Sequence, residues 1–120
     1  MGDAVMMEFA SARDACSALE ALHAAFPVAA RAIGIPPLAL HSGAHHGEVT
    51  IGPDDDLYGQ TVNLAARLQG IAMDNQIVLS DKIVEAALLD AEKIESLGPR
   101  VLKNIPESVA CFALRQNSQA

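Results

Sequence analysis

The segment 54–68, DDDLYGQTVNLAARL, constrains this chain more than any other stretch. From Gly59 to about Ala72 the spacing predicts a helix, with Leu64, Leu68 and Ile71 on one apolar stripe. Asn63 and Arg67 are four apart and share a second face. The leucines next to them lie about 100° round the axis. Such a helix packs its leucines on a core and turns an amide and a guanidinium toward a cleft. That pair suits a ribose oxygen and a phosphate. It is also what an ordinary solvated helix face carries.

Length and charge narrow the rest. A chain of 120 residues fits one domain with one modest core. It is 51% hydrophobic but has no Trp, one Tyr and three Phe, so that core is aliphatic. Fifteen acidic residues against eight basic give a net charge of −7. Such a surface repels phosphate backbones, which argues against nucleic acid as a partner. A nucleotide can still be held by local cations or a metal ion. Cys16 and Cys111 stand far apart without metal-ligand spacing. No apolar run approaches a membrane span, and no basic stretch followed by an apolar one forms a leader. The expectation is a cytoplasmic protein with reduced thiols and no membrane segment.

Strands and helices alternate irregularly, which predicts the α+β class. A short strand is expected over 4–10. Ser11 then caps a helix, with Asp14 three residues on and Ala15, Leu19, Leu22 and Phe26 at helical spacing. Pro27 should kink or end it, though 28–33 can add a turn, and Gly34 with Pro36 and Pro37 breaks it. Segment 38–52 mixes strand formers with Gly43 and Gly47, which predicts two strand pieces around a bulge or tight turn. Residues 52–56, GPDDD, read as a turn. A strand over 76–79, a helix over 81–89 capped by Ser80, and strands over 92–97 and 109–114 follow. Residues 116–120 make a disordered tail.

The order of particular residues adds a family. Asp56, Gly59, Val62, Asn63, Ala65, Ala66, Arg67 and Leu68 stand at the spacing of a long motif in the class III adenylate/guanylate cyclases, and the segment resembles it closely. Three flanking stretches agree in order and distance. GDAVMMEF at 2–9 is similar to the family's Gly-Asp turn and following strand. HHGEVTIG at 45–52 is similar to its His-Thr-Gly-Glu-Val strand, with His46 for Thr. LGPRVLKNIPESVACFAL at 97–114 resembles its C-terminal stretch, with Asn104 for Gly and Ser108 for Pro. The resemblance covers residues 2–114.

The resemblance implies a ferredoxin-like nucleotidyl cyclase fold and a role for each matching residue. Asp3 matches a metal-binding aspartate of a two-ion Mg²⁺ or Mn²⁺ site. Asp56 matches a residue that accepts a hydrogen bond from the adenine amino group. Asn63 would orient the ribose, Arg67 would stabilise charge on the α-phosphate, and Lys103 would reach the terminal phosphates. Residue by residue these implied roles suit the chemistry: carboxylates hold divalent ions, and a fixed cation meets the charge that develops on a phosphoryl oxygen. Alternatives stay open from the residues alone. Asp3 is also a turn residue, Lys103 an exposed lysine, and 54–56 a charged turn. His41, His45 and His46 cluster without a fourth ligand, and alternation sends His45 and His46 to opposite faces.

The family's other metal aspartate lies on a first strand that has no match ahead of Asp3. Residues 1–115 are therefore expected to form a partial cyclase domain lacking its first strand and helix, from a truncation or a misplaced start. Loss of a central strand should split the sheet, expose two edges and invite another chain. The expected function is an adenylate cyclase-type domain that turns ATP into cyclic AMP and pyrophosphate as part of a homodimer or heterodimer, and that is inactive alone. The alternative is a non-catalytic cyclase homology module acting as a regulatory or dimerisation partner.

Overall fold

The computed structural model describes residues 5–36, 39–47 and 55–116, with the backbone alone for 55–58. Among the described residues three α-helices and four strands form an α+β domain: α1 (Ala12–Ala32), β1 (Ser42–Ala44), α2 (Asp55–Ile71), β2 (Ile77–Ser80), α3 (Asp81–Ala86), β3 (Ile94–Arg100) and β4 (Val109–Leu114). The strands make one sheet in the order β1-β2-β4-β3. β1 runs parallel to β2, and β4 is antiparallel to both β2 and β3. None of the described helices is long and apolar enough to cross a membrane.

Side-chain alternation sorts the helices onto the two faces. Ile77, Leu79 and Leu114 point to one face and meet Ala15 and Cys16 of α1 and Ile83 of α3. Val78 and Cys111 point to the other and meet Leu68 of α2 and Leu102. As expected, Leu64 and Ile71 pack with Leu68 in that second cluster, and Leu68 is fully buried. Burying a leucine completely contributes about 1.5–3 kcal/mol, so this stripe is what holds α2 on the sheet.

Local chemistry sets most of the ends. Ser11 caps α1, its hydroxyl accepting the Asp14 amide at 3.2 Å. The helix runs through Pro27, which is exposed and costs only the bond to the His23 carbonyl. It stops at Gly34, whose φ of 77° suits glycine and lets the Ile35 amide reach back to the Ala30 carbonyl. Ser80 caps α3 through the Ile83 amide. That helix ends earlier than its sequence pattern predicts, because Leu88 turns left-handed and the Leu89 amide bonds the Val84 carbonyl. β3 runs on to Arg100 because a bulge between Ser96 and Gly98, with Gly98 at φ 78°, carries the pairing onward. Pro99 is tolerated because β3 is an edge strand.

Two further expectations change. Residues 5–9 form no strand: they pair with none of the four strands, and Val5 is 83% exposed. A strand without a neighbour leaves its peptide groups to water and does not persist. The four described strands nevertheless form one continuous sheet, with 5–9 outside it. Second, α2 begins at Asp55, so Asp55 and Asp56 belong to the helix and not to a turn. Two acidic residues in a first turn favour that extension through the helix dipole. Of the two strand pieces expected over 38–52, β1 is described, while 48–52 lie outside the described residues, as do 117–120 of the expected tail.

Candidate active site

Helix α2 carries the candidate residues, and its seat on the sheet decides where they stand. Gly43 of β1 lies directly beneath it. A Cβ there would come within 2.2 Å of the Gln69 nitrogen and 2.7 Å of the Ala65 oxygen. No other residue type permits that approach. At the helix end, His41 Nδ1 lies 3.0 Å from the Gln69 carbonyl oxygen. A carbonyl only accepts, so the ring N–H donates in this pairing.

On this frame Asp56, Asn63 and Arg67 occupy one row of α2, since steps of seven and four residues return to nearly the same direction. The row spans about 16 Å at the helical rise. The Asp56 side chain is not among those described. Asn63 and Arg67 are half-buried, and neither side chain makes a hydrogen bond or ion pair among the described residues. Arg67 Nε is buried with no partner among the described residues. Lys103 is exposed on the turn after β3. Its neighbour Leu102 is 3% exposed and packs in the same apolar cluster as Leu68 of α2. That contact brings the Lys103 turn to the sheet face that carries Asn63 and Arg67. Asn104 has φ 65°, so the glycine position of the family motif is left-handed here and asparagine fills it.

A half-open groove of about 370 Å³ runs beside this face between Leu64, His45, Asp81, Lys82, Ile105 and Val109. His45 is half-buried, with Nδ1 2.8 Å from the Ser80 hydroxyl, whereas His46 is exposed. Burial pushes the His45 pKa down, Asp81 acts the other way, and His46 and Lys82 add to the lowering. Among the described residues no three His, Cys, Asp or Glu side chains converge on a possible metal position. Asp3 lies outside the described residues. The described residues therefore do not fit a metal site by themselves.

Sequence reasoning missed two groups. His41 and Gln69 were without a visible link, because only the crossing of β1 beneath α2 brings them together. A buried relay was also hidden: His23 Nδ1 donates to Asn75 Oδ1 at 3.2 Å, and Nε2 lies 2.7 Å from the Ser42 hydroxyl. It ties α1 to β1 and to the turn before β2. Burial lowers the His23 pKa most, the Asn75 bonds raise it, and His41 lowers it further.

Comparison with known proteins places this arrangement. The family model described as "Adenylate and Guanylate cyclase catalytic domain" matches residues 5–116. The chain is 34% identical over 113 residues to the "Putative adenylate cyclase 3" of Rhizobium meliloti, a match covering 90% of this chain and 19% of that protein. It is 34% identical over 88 residues to the "Receptor-type adenylate cyclase" of Trypanosoma congolense, covering 64% of this chain and 11% of that protein. The chain thus spans about a fifth or less of the length of these relatives. Among solved structures it is similar in fold to an adenylate/guanylate cyclase/hydrolase from Silicibacter pomeroyi, with a TM-score of 0.70 at 23% identity over 92% of this chain and 66% of that one. It is also similar to the adenylyl cyclase CyaB from P. aeruginosa, with a TM-score of 0.65 at 20% identity over 90% and 60%. A motif that runs the length of α2, a sheet of matching fold and a family match over nearly all residues agree: the chain belongs to the adenylate and guanylate cyclase catalytic domain family.

Proposed function

We propose that this chain supplies one side of a nucleotidyl cyclase site, the side that holds the base, ribose and α-phosphate of ATP. The observation that carries the reading is the row of Asp56, Asn63 and Arg67 on α2, with Arg67 Nε buried and unpartnered among the described residues. A buried N–H without an acceptor costs about 1–3 kcal/mol, and more when charged. A phosphate oxygen would supply that acceptor. In the reaction the ribose 3′-oxygen bonds to the α-phosphorus as its proton leaves, and the bond to pyrophosphate breaks. Charge grows on the phosphoryl oxygens, where a guanidinium held in place lowers the barrier. Asn63 would hold the ribose for that attack, Lys103 would meet the terminal phosphates, and Asp56 favours adenine over guanine. The divalent ions of the family, Mg²⁺ or Mn²⁺, are assigned no step here, since Asp3 is the one ligand that the resemblance gives. The free, buried thiols of Cys16 and Cys111 suit a reducing, cytoplasmic setting.

The test pairs this chain with an intact homologous cyclase domain whose own Asn and Arg are substituted, so that product depends on α2 of this chain. With ATP and Mn²⁺ the mixture should make cyclic AMP, while this chain alone should make none. Arg67→Ala should cut the rate of the mixture about 10²–10³-fold, and Asn63→Ala should lower it as well. Turnover by the isolated chain, or a mixture indifferent to Arg67→Ala, would overturn the reading.

A second reading, a regulatory or dimerisation module without catalysis, is favoured by one observation. Val5, Met6, Met7 and Phe9 are exposed apolar residues outside the sheet, and a patch of this kind marks interaction surfaces. Binding of the second domain that persists without ATP and never yields cyclic AMP would select it.

A further inference from the structure

The geometry points to His41 as a positioning residue for Arg67, acting with Gly43 through the last turns of α2. The inference rests on the proposed role of Arg67 in phosphate contact. His41 and Gly43 are two apart on one strand segment, so both face α2. Gly43 sets the distance. The atoms that its Cβ would strike, Ala65 O at 2.7 Å and Gln69 N at 2.2 Å, are the two ends of the helical hydrogen bond that spans Arg67. His41 sets the rotation. Its Nδ1 reaches the Gln69 carbonyl at 3.0 Å, and the Gln69 side-chain amide flanks the ring at 3.1 Å from Nδ1 and 3.5 Å from Nε2.

The helix needs such a hold. Carbonyls of the last turn have no partner within a helix. The last turn of α2 carries no basic residue, and among the described residues Gln69 O is otherwise met by the Ala72 amide alone, at 3.2 Å. Arg67 lies two residues before Gln69 and has no side-chain bond of its own among the described residues to orient it. Its direction is therefore inherited from the turn that His41 and Gly43 grip. A rotation of that turn moves the guanidinium away from the phosphoryl oxygen, and a misplacement of about 1 Å can cost 10²-fold in rate.

The experiment uses the full chain mixed with the substituted homologous domain described above. His41→Ala should lower kcat about tenfold with KM within twofold, since the contact strengthens only as charge develops. His41→Asn, whose amide nitrogen can stand where Nδ1 stands, should restore kcat to within threefold. His41→Gln, with its nitrogen one bond farther out, should not. In the chain alone, the Arg67 Nε–H resonance, assigned through its loss in Arg67→Lys, should shift in His41→Ala and return in His41→Asn. Gly43→Ala should shift it further if that variant folds. Unchanged kcat in His41→Ala, or loss of kcat that Asn and Gln rescue equally, would overturn the inference. If the wild-type mixture makes no cyclic AMP, the proposed function fails by itself, and an Arg67 resonance indifferent to His41→Ala then removes the positioning claim as well.

Discussion

Asn104 illustrates how a single residue answers to the backbone. Its φ of 65° follows Lys103 in the turn that leads to Ile105. The family motif places glycine there, and left-handed backbone explains why: a Cβ in that region costs about 1–2 kcal/mol, which asparagine mitigates by local hydrogen bonding. Asn104→Gly should leave stability within about 0.5 kcal/mol. Asn104→Val should lose about 1–2 kcal/mol. Urea denaturation of the two variants checks the pair, and equal midpoints would show that the turn relaxes to a right-handed form. The departure from the motif was plain in the sequence. That it is conformationally neutral became plain only from φ.

At the scale of the element, α3 depends on one hydroxyl. Ser80 Oγ accepts the Ile83 amide at 3.3 Å and lies 2.8 Å from His45 Nδ1. The residue is fully buried, so both partners lose their bond together when the oxygen goes. Ser80→Ala should destabilise the domain by about 1–3 kcal/mol, combining a lost cap with an unpaired buried group. Ser80→Thr, which keeps the oxygen, should recover part of this. Circular dichroism melts of the two variants measure it. The cap was legible from Ser80 and the pattern after it, and so were α1 from Ser11 and the apolar stripe of α2. The start of α2 was not. Three consecutive aspartates after Gly-Pro look like a turn in one dimension, and a helix that is anchored by Leu64 and Leu68 on a sheet extends backward through two of them.

The whole molecule should respond to pH through its buried histidines. Burial lowers the folded pKa of His23 and of His45 below the ordinary value of 6.5. The unfolded chain then binds more protons than the folded one as pH falls below 6.5, so the stability they contribute is complete above that value and is lost toward the depressed folded values. For Cys16 and Cys111 burial raises the folded pKa above 9.0, so their contribution is present below 9.0 and fades as pH rises through the folded values. The urea midpoint should therefore be level between about pH 7 and 8.5 and fall by pH 5.5. His23→Gln, which can still bond Ser42, should flatten part of the acid limb. A limb identical to that of the wild type would show that His23 takes no part in it.

The amino-acid sequence alone carried the α+β class, the family, the caps at Ser11 and Ser80, and the common face of Asn63 and Arg67 on α2. Those properties are local or are written in spacing, and a helix of 3.6 residues per turn translates spacing into a face. The tertiary structure alone decided what faces those residues. Strand pairing left 5–9 outside the sheet, because a strand exists only beside a neighbour. Packing brought β1 under α2, so that Gly43 and His41, 22 or more positions from Ala65 in a chain read end to end, came to seat the last turns of that helix. It also left Arg67 Nε buried and, among the described residues, unpartnered, a property of the enclosing fold that no motif records.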